Sequence, residues 1–256
     1  MANERENKVF LARLCKQAKR YDDMASYMKQ VAEISSELAC DERDLFSGAY
    51  KHIIDKHRAS WCTIKKEEGS EYVDAIVKYR SKIELKLEMV CQDVLKVLDY
   101  HLIPNATVCE SKVFYHKMKG DYNRYLAEFA PGEKGRIATT TAHEAYKIAN
   151  DVALTELEPT HPLRLGLALN YSVFCFEVLN RPDRAFHLAK QALTDAITEL
   201  DFSRKTSYLD TLIIMGLLWD NFNLWASSKD DEAELIGSAE GSKVNDAVDE
   251  EIASNS

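Results

Sequence analysis

The 256-residue sequence predicts an all-α protein, and three observations carry that prediction. Apolar residues recur three and four positions apart along most of the chain, the period of a helix with one buried face. The five prolines stand only where such runs stop or start. No stretch alternates apolar with polar residues between hairpin dipeptides, so strands are not expected.

Nine helices follow, at about 4–18, 21–39, 42–67, 71–102, 110–130, 137–157, 162–179, 182–200 and 203–226. The third and fourth are the long ones. Pro104 ends the fourth, after the unbroken run YVDAIVKYRSKIELKLEMVCQDVLKVLDYHLI. Pro131 closes the fifth after RYLAEFA, and Pro159 and Pro162 bracket the break before the seventh. Pro182 sits early in the eighth, where its missing N–H costs little. Short connections make sequential helices antiparallel neighbours, so the expected architecture is a series of helical hairpins in a curved array.

Composition agrees: 46% of residues are apolar and 29% charged, with only nine glycines, as in a soluble helical protein. No apolar run approaches the roughly 18 residues of a membrane span, and MANERENKVF does not read as a signal peptide. The cysteines at 15, 40, 62, 91, 109 and 175 show no ligand spacing and read as reduced thiols. Of the net charge of −9, the last thirty residues carry −7, nine Asp/Glu against Lys229 and Lys243. That segment, 227–256, has no aromatic residue and reads as a disordered acidic tail. Residues 1–226 are left nearly neutral, which argues against nucleic acid as the main partner.

Catalytic patterns are missing. His143-Glu144 is followed by Lys147 where HExxH needs a second histidine, and there is no GxGxxG, P-loop or GxSxG. The seven histidines form no metal-ligating set, and no catalytic residue, metal or cofactor is expected.

One short segment points to binding. In KMKGDYNRYLAEF, Lys117 and Arg124 are seven apart on one helix face, with Asp121 between them to hold both cations extended and Tyr125 alongside. In AYKHIIDKHRASW, Lys51 and Arg58 repeat the spacing. Two such pairs could enclose a small dianion, although spacing alone favours two solvated faces. The segment SKVFYHKMKGDYNRYLAEF also has the look of a tetratricopeptide-repeat helix, without an exact 34-residue repeat. The alternative function is therefore a co-chaperone scaffold whose basic clamp holds a peptide's C-terminal carboxylate.

The segments RYDDMASYMKQVAE, AYKHIIDKHRASW, ESKVFYHKMKGDYNRYLAEF, THPLRLGLALNYSVFCFEVLNRPDRA and LLWDNFNLW resemble, in order and spacing, the signature segments of the 14-3-3 family. The resemblance covers residues 3–226. It implies one domain over 1–226: a cup-shaped dimer of nine antiparallel helices per subunit. Each subunit has an amphipathic groove for an extended phosphoserine or phosphothreonine peptide, built from 42–67, 110–130, 162–179 and 203–226. Lys51, Arg58, Arg124 and Tyr125 match the phosphate pocket, and Lys117 a supporting basic position. The chemistry fits, because arginine forks meet a dianionic phosphate bidentately and a tyrosine hydroxyl adds a donor. Asn170, Glu177, Asn221 and Trp225 match positions along the peptide main chain. Leu169, Val173, Ile213, Leu217 and Leu224 match its apolar wall.

The resemblance further implies dimerisation through 3–85, with a second copy or another isoform. Leu14, Ala18, Ser60 and Tyr79 match contact positions, and Asp23 with Lys82 an intersubunit ion pair. The implied partners are phosphorylated clients in the cytoplasm, and in the nucleus as well, with no membrane and no nucleic acid. Several residues depart from the family pattern. Lys86 stands where an acid should face Arg20, and Lys19 replaces a glutamate. FSRKTSY places Arg204 and Lys205 near a helix start. Gly216 and Trp219 replace a glutamine and an arginine. A retained phosphate pocket with altered client preference is expected. Ser60, in HRAS, also resembles a basophilic kinase site at the dimer seam.

Overall fold

The computed structural model describes residues 4–34, 37–66, 71–200 and 209–226, and every regular element among them is helical. In chain order these are α1 (Glu4–Gln17), α2 (Tyr21–Ile34), α3 (Cys40–Lys65), α4 (Val73–Val97), α5 (Cys109–Phe129), α6 (Gly132–Glu156), α7 (Pro162–Glu177) and α8 (Pro182–Glu199). A ninth, α9, covers residues 209–226. The acidic tail from 227 and the FSRKTSY segment lie outside the described residues. The chain divides into two compact units, Met1–Glu158 and Pro159–Ser256.

In the first unit each helix packs on the next, from α1 through α6. The buried stripes of α1 to α5 form one core that includes Met28, Phe46, Tyr50, Ile54, Leu87 and Val94. The α1–α2 turn is tight because Lys19 adopts a left-handed conformation (φ 55°), letting the Arg20 N–H reach the Cys15 carbonyl at 2.9 Å. Glycine is the usual residue there.

Two helix ends differ from expectation. α2 stops at Ile34, not 39, and the chain leaves the helix at Glu37 and Leu38. Leu38 is buried in the core, while the Glu37 carboxylate accepts from the Thr107 hydroxyl and the Val108 N–H at the start of α5. Tertiary contacts thus outweigh the helical pattern of the segment. α6 begins at Gly132, five residues before expectation. Gly132 makes a left-handed turn (φ 58°) after Pro131. A Cβ at Gly135 would lie 2.4 Å from the Ala130 carbonyl oxygen, so glycine is what lets the helix start there. Before Pro104, α4 widens into a π turn, Leu98–Leu102, closed by the Ile103 N–H on the Leu98 carbonyl (2.8 Å).

In the second unit, Pro162 and Pro182 open α7 and α8 as expected. Asn180 (φ 50°) ends α7 with the Arg181 N–H on the Cys175 carbonyl. α9 buries Leu218 and Trp225, stacks Phe222 on Phe186 (4.4 Å), and donates the Thr211 hydroxyl to the Thr160 carbonyl (2.9 Å). All six cysteines are free thiols. No helix among the described residues is long and apolar enough to cross a membrane.

Candidate functional site

Arg58 projects from α3 and Arg124 from α5, and the two share one carboxylate, that of Glu128. The Arg58 fork meets Glu128 at 2.7, 2.8 and 3.2 Å, and Arg124 Nη1 meets it at 3.1 Å. Both guanidinium groups lie over the Tyr125 ring, 4.3 and 4.7 Å from its centroid. Residues 124 and 125 diverge by about 100° around α5. Arg58, arriving from the neighbouring helix, closes that angle and makes one cationic, aromatic cluster.

Arg124 is 7% exposed, and its Nε is buried with no hydrogen-bond partner among the described residues. Burial works against its charge, but the surrounding Tyr146, Tyr125, Asp121 and Glu128 hold it firmly protonated. Burial is also the main reason the Tyr125 hydroxyl is pushed up to about 12; Asp121 adds to this, while Arg124 and Arg58 oppose it. The phenol therefore stays protonated at neutral pH and can donate.

Lys51 is more exposed, and its Nζ pairs with Asp55, one turn along α3, at 2.6 Å. Lys51, Arg58 and Arg124 thus face two carboxylates in all, Asp55 for Lys51 and Glu128 for both arginines, one positive charge in excess.

Lys117 pairs with Asp121 at 2.8 Å, as the spacing suggested, but the ion pair of Arg124 goes forward to Glu128. Asp121 is buried and accepts from the Tyr146 hydroxyl on α6 at 2.6 Å. Burial alone would raise its pKa, yet Lys117 and Arg124, with hydrogen bonds from Lys117 and Tyr146, hold it below the ordinary value. Tyr146 can approach because residue 120 is glycine, where a Cβ would lie 2.7 Å from the ring. Sequence reasoning missed Asp55 and Glu128. Each stands four residues after a site cation, Lys51 and Arg124, so the one-turn pairing rule was the available signal.

In the second unit, Leu169, Asn170 and Val173 on α7 are half-buried and Glu177 is exposed. On α9, Ile213, Leu217 and Leu224 form an exposed apolar stripe (55, 49 and 64%) with Asn221 beside it. Trp225, expected beside the peptide, is buried at 4% exposure with its ring stacked on Phe176 at 5.0 Å. Trp219 stacks on Phe222 at 5.7 Å and lies about 200° around the helix from Leu217, so it does not line that stripe. Gly216 is exposed, with open space around its Cα.

The residues expected at the dimer seam are accessible. Leu14, Ala18, Arg20, Ser60, Tyr79 and Lys82 are exposed, and Asp23 is half-buried and paired with Arg20 of its own chain. Ser60 and Tyr79 line a shallow groove of about 390 Å³ with Ala59, Thr63, Ile64 and Ile83.

A sequence model of the 14-3-3 protein family matches residues 11–226. The chain is 52% identical over 242 residues to protein BMH1 of Saccharomyces cerevisiae, covering 91% of each. It is 52% identical over 249 residues to the checkpoint signal transducer rad24 of Schizosaccharomyces pombe, covering 94% of this chain and 92% of that protein. To the 14-3-3 family protein artA of Aspergillus flavus it is 55% identical over 231 residues, covering 88% and 97%. These matches favour the reading from family segments over the tetratricopeptide-like one. The chain belongs to the 14-3-3 family of phosphopeptide-binding adaptor proteins.

Proposed function

We propose that the protein clamps phosphoserine or phosphothreonine segments of client proteins through Lys51, Arg58, Arg124 and Tyr125, with Lys117 fixing Asp121 behind them. The supporting observation is the shared Glu128 carboxylate: two arginines from separate helices already converge on one oxyanion above a tyrosine ring. A phosphate offers nearly two charges and three acceptor oxygens to the same forks, which a carboxylate matches poorly. Binding recruits Lys51 from Asp55 and the outward N–H groups of Arg58 and Arg124. On the family pattern, Asn170 and Asn221 pair with the client main chain. Leu169, Val173, Ile213, Leu217 and Leu224 take its apolar side chains.

The protein further acts as a dimer in the cytoplasm, with itself or a related isoform. Support comes from exposed Phe10 and Leu14 on α1 and from the groove beside Tyr79 on α3 and α4. An intersubunit Asp23–Lys82 pair requires Asp23 to leave Arg20. A rigid pair of sites would multiply avidity for a doubly phosphorylated client about 10²–10⁴-fold when the spacing fits.

The test is titration of a fluorescent phosphoserine peptide against wild type and Arg58→Ala/Arg124→Ala. Wild type binds, phosphatase treatment of the peptide abolishes binding, and the double variant loses at least about 100-fold, two charge-assisted contacts at roughly 1.5–3 kcal/mol each. Equal binding of the dephosphorylated peptide would refute the reading.

A further inference from the structure

Gly216 stands in the middle of α9, and no atom lies within 4 Å of the place its Cβ would take. Packing accounts for Gly120, which makes room for Tyr146, and for Gly135, which makes room for the Ala130 carbonyl. It does not account for Gly216, and a glycine weakens a helix interior. Gly48 on α3 is equally open, but its neighbours one turn away include Asp44, Lys51 and His52. Those of Gly216 on its outer ridge are Leu212 and Trp219, 45 and 53% exposed and about 10 Å apart along the helix axis. The bare backbone is therefore the floor of a notch walled by an aliphatic side chain and an indole. The indole is held in place: Trp219 stacks on Phe222 at 5.7 Å, and Phe222 on Phe186 of α8 at 4.4 Å. A pinned, exposed ring gives up little freedom when another side chain packs on it.

Two further observations bear on what packs there. The notch is continuous with the apolar stripe assigned to the client: seen down the helix, Ile213 lies about 60° to one side of Gly216 and Trp219 about 60° to the other. Only a glycine separates the stripe of Ile213, Leu217 and Leu224 from this second apolar surface, and an exposed apolar band of that extent marks an interaction face. The charge is also one-sided. The described residues of α9 include Asp210 and Asp220, both exposed, and no lysine or arginine. We propose that the notch of Leu212, Gly216 and Trp219 is an accessory client site. It takes a large apolar side chain, aromatic or branched aliphatic, from a stretch of the client outside the segment on the stripe, with a basic residue beside it facing Asp220. The proposal rests on the phosphopeptide reading, whose stripe it extends, and it names the client class: phosphorylated segments with an apolar–basic pair at a fixed offset. With the glutamine and arginine of the family pattern at 216 and 219, a long side chain fills the notch and a cation repels the basic neighbour.

The experiment is fluorescence anisotropy with a phosphoserine peptide whose flanks are alanine, and with the same peptide carrying an isoleucine–arginine pair at successive offsets on either side of the phosphoserine. Wild type is compared with Gly216→Gln, Trp219→Arg and Asp220→Asn, all at exposed positions. At one offset, the pair should tighten binding to wild type about tenfold, the partial burial of one large apolar side chain. Gly216→Gln and Trp219→Arg should lose that gain and leave the affinity of the all-alanine peptide unchanged. An isoleucine–glutamate pair at the same offset should gain less, and Asp220→Asn should remove the difference between the two pairs. In fluorotryptophan-labelled protein, the resonance absent from Trp219→Arg should shift with the isoleucine–arginine peptide and not with the all-alanine one.

A gain below about twofold at every offset, or one that survives in Trp219→Arg, overturns the proposal. So does a Trp219 resonance that no peptide moves, the result expected if residues 227–256 of the chain itself cover the notch. A resonance that moves when the protein alone is diluted assigns the notch to a second copy and overturns it as well. The all-alanine peptide keeps the two readings apart. If it binds equally with and without phosphate, the phosphopeptide reading fails and takes this one with it. If it needs phosphate and the pair adds nothing, only this proposal fails.

Discussion

Asp55→Asn should tighten phosphopeptide binding. Asp55 Oδ2 lies 2.6 Å from Lys51 Nζ. A phosphate oxygen accepting from the same nitrogen at about 2.8 Å then sits within about 5.5 Å of the carboxylate. One charge against a dianion at that distance costs about 1.5 kcal/mol in water-like dielectric, reduced to about 1 kcal/mol by physiological salt. The Lys51–Asp55 attraction that phosphate must displace is worth a further 0.3–0.5 kcal/mol or so, a small value because Lys51 and Asp55 side chains are 70% and 45% exposed. Both contributions act in the same direction. The variant should bind a phosphoserine peptide about five- to tenfold more tightly, measured by fluorescence anisotropy. Raising the salt should shrink the difference. The unphosphorylated peptide should gain much less. An affinity within twofold of wild type, or weaker, would refute the placement of Asp55 against the bound phosphate.

Gly120→Ala should destabilise the first unit by about 1 kcal/mol, since overpacking Tyr146 costs about 1–3 kcal/mol against roughly 1 kcal/mol gained in helix propensity. Thermal unfolding measures it, and phosphopeptide affinity should fall with it if Tyr146 shifts off Asp121. The stabilisation from Asp121 ionisation has a defined pH window, because its native pKa is held below the ordinary value of 3.8. It is fully present above that value and is lost as pH falls through the lower native one. Asp121→Asn, although less stable at neutral pH, should show a shallower loss of stability below pH 4 in urea titrations. Ser60→Glu should weaken dimerisation by bringing charge into the groove with Ile64, Tyr79 and Ile83, and a light-scattering mass unchanged at micromolar concentration would argue against that seam.

Much of the fold was legible because helical periodicity and proline placement are local properties. Pro162 and Pro182 open the helices they were expected to open, and Pro131 separates two. What pattern reading could not reach were ends set by partners distant in sequence. Glu37 leaves α2 because its carboxylate binds the start of α5, 70 residues on. α6 starts as early as Gly132 because Gly135 leaves the Ala130 carbonyl the space it needs. In the candidate site, the family segments named Arg58, Arg124 and Tyr125, but said nothing of the carboxylates that hold these cations between ligands. Trp219, which departs from the family pattern, stacks on Phe222 away from the apolar stripe of α9.

The sequence by itself determined the helical class, the family, and which side chains carry the charge, since all three are written in residue order and one-turn spacing. Only the tertiary structure decided that Glu128 is shared between α3 and α5 and that Tyr125 lies beneath both arginines. Those are meetings of residues tens of positions apart. Their energies depend on distance and on exclusion of water, and the chain acquires both only once its helices are packed.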